Sequence, residues 1–253
     1  MMNSIPEEKP AAMQVVILAG GIGTRIQSVA QGIPKALSPV VGRPFIEHQF
    51  ALLRASGCRE VLLCVGHLGD QIERCVGDGA RLGMRVAYAW EDPAHLLGTG
   101  GALVHALPHL RESFMVMYGD SYLPVDYGAF ARAFAAARAP ALMSVYRNEG
   151  RWDHSNVRVE QQRVVYYDKR APVGAANCID YGLIAFRRDV IAAYAGQALP
   201  LDMATILQAL VGRGELAAWE APARFYEIGK PEGLRELEQH LAQKAGGAQA
   251  HTA

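Results

Sequence analysis

Five short apolar runs punctuate the first part of the chain: QVVIL (14–18), VLLCV (61–65), MRVAYAW (84–90), FMVMY (114–118) and ALMSVY (141–146). Each has the length of a strand, and none alternates cleanly with polar residues, the pattern of strands buried on both faces. Between them lie FIEHQFALLRASG (45–57), DQIERCV (70–76), GGALVHAL (100–107) and DYGAFARAFAAAR (126–138), which predict helices. In the last of these, alanine is dense and Phe130 and Phe134 share one face. Asp126 is placed to cap that helix, and Gly57 to stop the first. Strands separated by helices imply a Rossmann-like, doubly wound α/β fold around a mainly parallel central sheet. Ligands of such sheets bind beyond the carboxyl ends of the strands, which singles out the loops at 19–35, 91–100 and 119–121.

From about residue 150 the pattern changes. NVRVE (156–160) and RVVYYD (163–168) predict a hairpin joined by Gln161-Gln162, and YGLIAF (181–186) another strand. Helices follow at 188–195 and 202–211, and ARFYEIGKPEGLRELEQHL predicts a closing strand, turn and helix. No repeat or linker interrupts the chain. The expected organisation is one domain over 13–245, divided at 150, between flexible tails at 1–12 and 246–253.

Composition narrows the partners. The 253 residues are 51% hydrophobic, enough for a sizeable core, and 25 basic residues balance 25 acidic ones. Nucleic acid as a main partner is disfavoured, because phosphate-backbone binding needs a basic surplus. Cys58, Cys64, Cys75 and Cys178 show no CxxC or metal-ligand spacing and read as reduced core thiols. No apolar run reaches the length of a membrane span, and the N-terminus lacks the layout of a signal peptide. A cytoplasmic location without membrane contact is the expectation.

The chemistry concentrates at LAGGIGTR (18–25), directly behind the first strand, with Pro34-Lys35 ten residues further on. A bare backbone after a strand is a common way to bring amides against phosphate. A P-loop would need GxxxxGK followed by Ser or Thr, which is absent. A dinucleotide fingerprint would need a third glycine where Ile26 stands. It would also need a carboxylate after the second strand, where His67 and Leu68 follow instead. A turn whose glycines serve geometry alone stays open on this motif by itself.

The motif GGxGTR followed by PK resembles the signature of the sugar-1-phosphate nucleotidylyltransferases. The resemblance continues through GIPKALSPVVGRPFIEHQ, EDPAHLLGTGGAL (91–103), YGD (118–120), YYDK (166–169) and EIGKPEGL (227–234). It implies attack of a sugar 1-phosphate oxygen on the α-phosphorus of a nucleoside triphosphate, releasing pyrophosphate. It assigns 13–150 to the nucleotide and 151–245 to the sugar. Leu18, Ala19, Gly20, Gly21, Gly23 and Thr24 would line the triphosphate, with Arg25 and Lys35 as catalytic cations. Glu91, Gly98, Thr99 and Gly100 would contact base and ribose. On the sugar phosphate, Asp168 would accept hydroxyl hydrogen bonds and Lys169 would hold the phosphate, with Asp180 on the sugar-contacting strand. Asp120 and Glu227 would hold Mg²⁺, Glu227 standing where the family usually has aspartate and Lys230 where it has a small residue.

Within the family, VGHLGDQIERCVGDGARLGMRVAYAWE and IDYGLIAFRRDVI look most like the heptose-1-phosphate guanylyltransferases. That implies GTP and D-glycero-α-D-manno-heptose 1-phosphate as substrates, feeding capsule or lipopolysaccharide synthesis. With the sequence ending soon after its last helix, the left-handed β-helix of larger relatives is not expected, which disfavours the bifunctional acetyltransferase forms and the long glucose-1-phosphate adenylyltransferases. A uridylyl- or thymidylyltransferase acting on a hexose or amino-sugar 1-phosphate is the alternative. A catalytically silent nucleotide-sugar-binding subunit, an NAD-dependent oxidoreductase and a homodimeric assembly remain open.

Overall fold

The computed structural model describes residues 13–21, 32–95, 97–149 and 151–249. The first strand, β1 (Gln14–Leu18), is followed by the short pair β2 (Pro39–Val40) and β3 (Arg43–Pro44) and by helix α1 (Phe45–Ala55). Then come β4 (Glu60–Val65), α2 (Gly69–Val76), β5 (Arg85–Trp90), α3 (Gly98–His105), β6 (Ser113–Tyr118), β7 (Ser121–Tyr122), α4 (Tyr127–Ala137) and β8 (Ala141–Arg147). The second half contributes β9 (Val157–Glu160), β10 (Arg163–Tyr167), β11 (Cys178–Arg187), α5 (Arg188–Ala192), α6 (Met203–Gly212), β12 (Leu216–Glu220), β13 (Tyr226–Glu227) and α7 (Pro231–Gln249).

Nine strands form one sheet in the order β5-β4-β1-β6-β11-β8-β12-β10-β9. The strands β5, β4, β1 and β6 are parallel. Because βα units of this kind put helices on both faces, β1, β4 and β6 are largely apolar and buried, whereas β5, at the sheet edge, is largely exposed and begins with Arg85. Val16, Leu62 and Val116 face one core with α3, α5 and α6, while Val15, Ile17, Leu63 and Met117 face a second with α1, α2 and α4. The doubly wound expectation holds. Beyond β6 the sheet is mixed, since β11 runs antiparallel to both β6 and β8.

Asp126 caps α4 by accepting from the Ala129 amide at 3.0 Å, as its position in the sequence implies. The 156–168 hairpin forms, with Gln161 and Gln162 both at positive φ (48° and 59°), the geometry of a tight two-residue turn. Beside the short strands β2, β3 and β7, which are not expected from the sequence, β12 and the last helix differ from the sequence reading. β12, an Ala-rich run with little β propensity, is held by five parallel pairs to β8. The last helix extends to Gln249, so 246–249 is helical and not a tail. Alanine around Gly246 and Gly247, and the lack of a proline, let the helix propagate past both. Residues 1–12 and 250–253 lie outside the described residues.

Candidate active site

Parallel pairing puts the carboxyl ends of β1, β4, β5 and β6 side by side. Leu18 is in register with Cys64 and Tyr118, and Val65 with Trp90. The residues just past those ends therefore meet. The Ala19 amide donates to the Cys64 carbonyl at 2.8 Å, and the Gly119 amide to the Leu18 carbonyl at 2.9 Å. A methyl on Gly20 would lie 3.3 Å from Glu91 Oε1 and 3.4 Å from the Gly66 amide, so the bare backbone lets the loop pass close to Glu91 without moving its side chain. On Gly21 it would meet nothing within 4 Å among the described residues, so no packing among them calls for glycine there. Gly23, Thr24 and Arg25 lie outside the described residues.

The charged centre sits beside this loop. Pro34 holds an extended backbone and Lys35 begins a short helical turn, from which its Nζ reaches Asp120 Oδ2 at 3.3 Å. Asp120 follows β6. The two-residue ladder β7–β13 pairs Ser121 with Glu227, and the Ile228 amide donates to the Asp120 carbonyl at 3.0 Å. Residues more than a hundred positions apart thus bring two carboxylates to one place. The Glu227 carboxyl, which keeps an open face in the cleft, is raised to about 7 by enclosing protein atoms and then by Asp120, Asp153 and Asp180, with Lys230 opposing. Such an excess of negative potential, built from oxygen donors, fits a hard divalent cation completed by substrate oxygens. Among the described residues no larger group of His, Cys, Asp or Glu converges as a metal cluster.

The second glycine loop is engaged by the chain itself. The amides of Gly100 and Gly101 donate to the Leu201 carbonyl at 2.8 and 3.0 Å. The Thr99 hydroxyl donates to Asp202 Oδ1 at 3.1 Å and accepts from the Met203 amide at 2.9 Å. The polar groups of Thr99 and Gly100 that the sequence reading gives to the nucleotide thus hold the 201–203 segment. Lys169, read as a phosphate ligand, bonds both carboxylate oxygens of Asp202 at 2.9 and 2.8 Å. Asp202 also caps α6 through the Ala204 amide. Burial works against its ionisation, but the Lys169 ammonium and these donors outweigh it and hold the carboxyl below its ordinary range. Asp168 accepts from the Arg170 amide, closing its own turn. Asp180 accepts from the Gly182 amide and the Tyr167 hydroxyl, and burial raises its carboxyl despite both.

The sequence reading missed two residues here. Asp202 carried a signal, an aspartate just ahead of an apolar helix. Gln49 carried none. It is fully buried on α1, and its Nε2 donates to the carbonyls of Tyr118 and Ser121, both at 2.9 Å, which flank Gly119-Asp120. Gln49→Leu removes the donor from both carbonyls. It is expected to lower stability by about 1–3 kcal/mol in urea unfolding, without a change in the denaturant slope. Stability equal to the parent would mean that these carbonyls find other donors.

A family profile described as nucleotidyl transferase matches residues 14–244. The chain belongs to the nucleotidyl transferase family. It is 36% identical over 114 residues to the D-glycero-alpha-D-manno-heptose 1-phosphate guanylyltransferase of Campylobacter jejuni, covering 45% of this chain and 50% of that one. It is 37% identical over 118 residues to the N-acetylmuramate alpha-1-phosphate uridylyltransferase of Neisseria meningitidis, covering 46% and 51%. The chain spans about half the length of these curated relatives. The structure resembles the inositol-1-phosphate CTP transferase of T. maritima with a TM-score of 0.75 at 21% identity, over 91% of this chain and 95% of that one. At that identity the likeness concerns the fold. These similar proteins thus carry names with different bases and acceptors. No described helix is long and apolar enough to cross a membrane.

Proposed function

We propose that the chain transfers a nucleotidyl group from a nucleoside triphosphate to a sugar 1-phosphate. The reading rests on one observation: Lys35, Asp120 and Glu227 converge beyond the glycine loop at the carboxyl ends of the parallel strands. In the reaction a sugar-phosphate oxygen forms a bond to the α-phosphorus, the bond to the β-phosphate breaks, and pyrophosphate leaves. Both reactants are anionic, so the protein's work is positioning and charge neutralisation. The open backbone at Gly21 admits the triphosphate. Lys35 exchanges its Asp120 partner for the α-phosphate as negative charge grows there, and Arg25 holds the departing pyrophosphate. Asp120 and Glu227 would hold Mg²⁺, which when bound neutralises and templates the phosphate oxygens. Lys169, released from Asp202, would hold the sugar phosphate.

For the base we favour guanine. Glu91, raised by burial beside Gly20 and Gly66, is a carboxylate at the rim of the loop. It can accept from both N1–H and the exocyclic amine of guanine, whereas uracil offers a single N–H on that edge. For the acceptor we favour D-glycero-α-D-manno-heptose 1-phosphate. The second reading, uridylyl transfer to an amino-sugar 1-phosphate, is motivated by the comparable identity to the Neisseria enzyme, 37% against 36%. Pyrophosphate release across four triphosphates and a panel of sugar phosphates separates them. GTP is expected to exceed UTP, dTTP and ATP by at least about tenfold in kcat/KM, roughly the cost of one buried hydrogen-bond mismatch. Better turnover of UTP with a muramic or hexosamine 1-phosphate would select the second reading, and release with no pair would indicate a silent binding subunit.

A further inference from the structure

The cleft does not end at Glu227. It continues into a pocket of about 190 Å³, bounded by Tyr146, Trp152, Asp153, Ile179, Arg224 and Lys230 among others. That is less than a whole small-molecule site and is room for one end of a sugar. Trp152 is its unusual wall. The residue has φ +66°, a left-handed conformation that bulky side chains rarely adopt. It also leaves 58% of its surface open to solvent. A strained, exposed tryptophan gains nothing for the core, and strain of this kind persists only where the surroundings enforce it.

The surroundings do enforce it. The Arg224 guanidinium lies 3.7 Å from the centre of the Trp152 ring and 4.7 Å from that of Tyr226. Glu236 fixes the same guanidinium as an ion pair. Tyr226 in turn stacks on His240 with ring centres 4.6 Å apart. Trp152 is thus the outermost plate of a cation–aromatic stack built from the 150s loop, the strand that carries Glu227, and α7. The backbone is anchored too, since Asn148 Nδ2 donates to the Asp153 carbonyl at 2.5 Å.

We propose that Trp152 and Asp153 form a specificity wall for the part of the acceptor sugar remote from the reacting phosphate, and that this wall selects a neutral polyol. The proposal rests on the nucleotidyl-transfer reading and deepens it. Its chemistry follows from what each group has free. The plate offers an apolar face to the C–H side of a sugar. Arg224 is committed to Glu236, Glu232 is paired with Arg235, and Lys230 lies beside Glu227, whose ionisation it favours. The lining also carries four carboxylates, Asp153, Glu227, Glu232 and Glu236, against the two cations Arg224 and Lys230, an excess of negative charge that disfavours a carboxylate on the sugar. The Asp153 carboxylate, an acceptor only, reads hydroxyl donors. A heptose with its additional side-chain hydroxyl matches that inventory, and a lactyl-bearing amino sugar does not.

The test compares wild type with Trp152→Ala and Trp152→Phe, using GTP and three acceptors: heptose 1-phosphate, mannose 1-phosphate and N-acetylmuramate 1-phosphate. Tryptophan fluorescence is followed on titration of each acceptor. Trp152→Ala is expected to raise KM for heptose 1-phosphate by about tenfold, leaving KM for GTP and Tm near wild type. Alanine inherits the same backbone strain, so a fold effect would move Tm as well. Trp152→Phe is expected to restore most of the affinity and to lose the fluorescence change seen in wild type. An unchanged acceptor KM in Trp152→Ala, a fluorescence response that survives in Trp152→Phe, or preference for N-acetylmuramate 1-phosphate would each overturn the proposal while leaving nucleotidyl transfer in place. Should wild type release no pyrophosphate, that reading fails by itself. The Trp152-dependent fluorescence response then decides the wall separately: its presence retains it, and its absence removes it.

Discussion

Asparagine at position 120 is expected to lower pyrophosphate release by at least about 10²-fold, with the fold intact. The side chain is nearly isosteric, and the backbone carbonyl that receives the Ile228 amide is untouched, so the β7–β13 ladder survives. What changes is charge at the one point where Lys35, Glu227 and the strand end meet. An amide oxygen is a weak ligand for a hard cation, and it no longer balances Lys35. Glu227→Gln is expected to be milder. Glutamate reaches one methylene further than the family's aspartate, and its carboxyl already titrates near neutrality. A Mg²⁺ titration of turnover checks both. Asp120→Asn is expected to leave no magnesium-dependent rate, and Glu227→Gln to shift the concentration needed. Equal, small effects of both substitutions would remove the carboxylate pair from the mechanism.

Much of this centre was legible in the sequence because it is built from local rules. Apolar runs of strand length followed by a glycine loop, a Pro-Lys and a strand-end aspartate place each side chain at a carboxyl end once the sheet is parallel. Asp126 as a cap and Gln161-Gln162 as a hairpin turn were likewise local decisions. Glu227 was recoverable by its motif, although only the β7–β13 pairing explains why it stands next to Asp120.

Tertiary decisions were not legible. β12 is strand by virtue of its neighbour β8, so a propensity reading of LAAWE sees little. Gln49 looks like any polar residue on a helix, and only burial against the carbonyls of Tyr118 and Ser121 gives it a purpose. The same holds for the partners of Lys169 and Thr99. Asp202 is 33 residues from the first and 103 from the second, and no spacing rule links them. A motif states which residues have chemistry, while their occupancy before substrate arrives depends on contacts made across the chain.

That dependence sets the largest effect expected on stability. Gly98 has φ +75°, and a methyl on it would stand 2.5 Å from the Leu201 carbonyl oxygen and 2.9 Å from its carbon. Both obstacles are backbone, so no side-chain rotation relieves them. The left-handed conformation costs a non-glycine residue about 1–2 kcal/mol, and forcing backbones apart in a packed region typically about 1–3 more. Gly98→Ala should therefore lose about 2–5 kcal/mol, or roughly 5–15 °C in Tm for a chain of this size. The damage should also be directional. Displacing 201–203 breaks the bonds of the Gly100 and Gly101 amides to Leu201 and pulls Asp202 from Thr99 and Lys169. The second glycine loop and the sugar-side lysine then lose their common anchor. Gly21→Ala is the matched control, because its methyl meets nothing within 4 Å among the described residues. It should leave Tm within about 1–2 °C while raising KM for the triphosphate, since the open space there is the room proposed for phosphate. Thermal melts and nucleotide KM values measured on both variants separate the two kinds of glycine. A Gly98→Ala protein as stable as the parent would mean that the 97–101 and 199–203 segments are not packed as described.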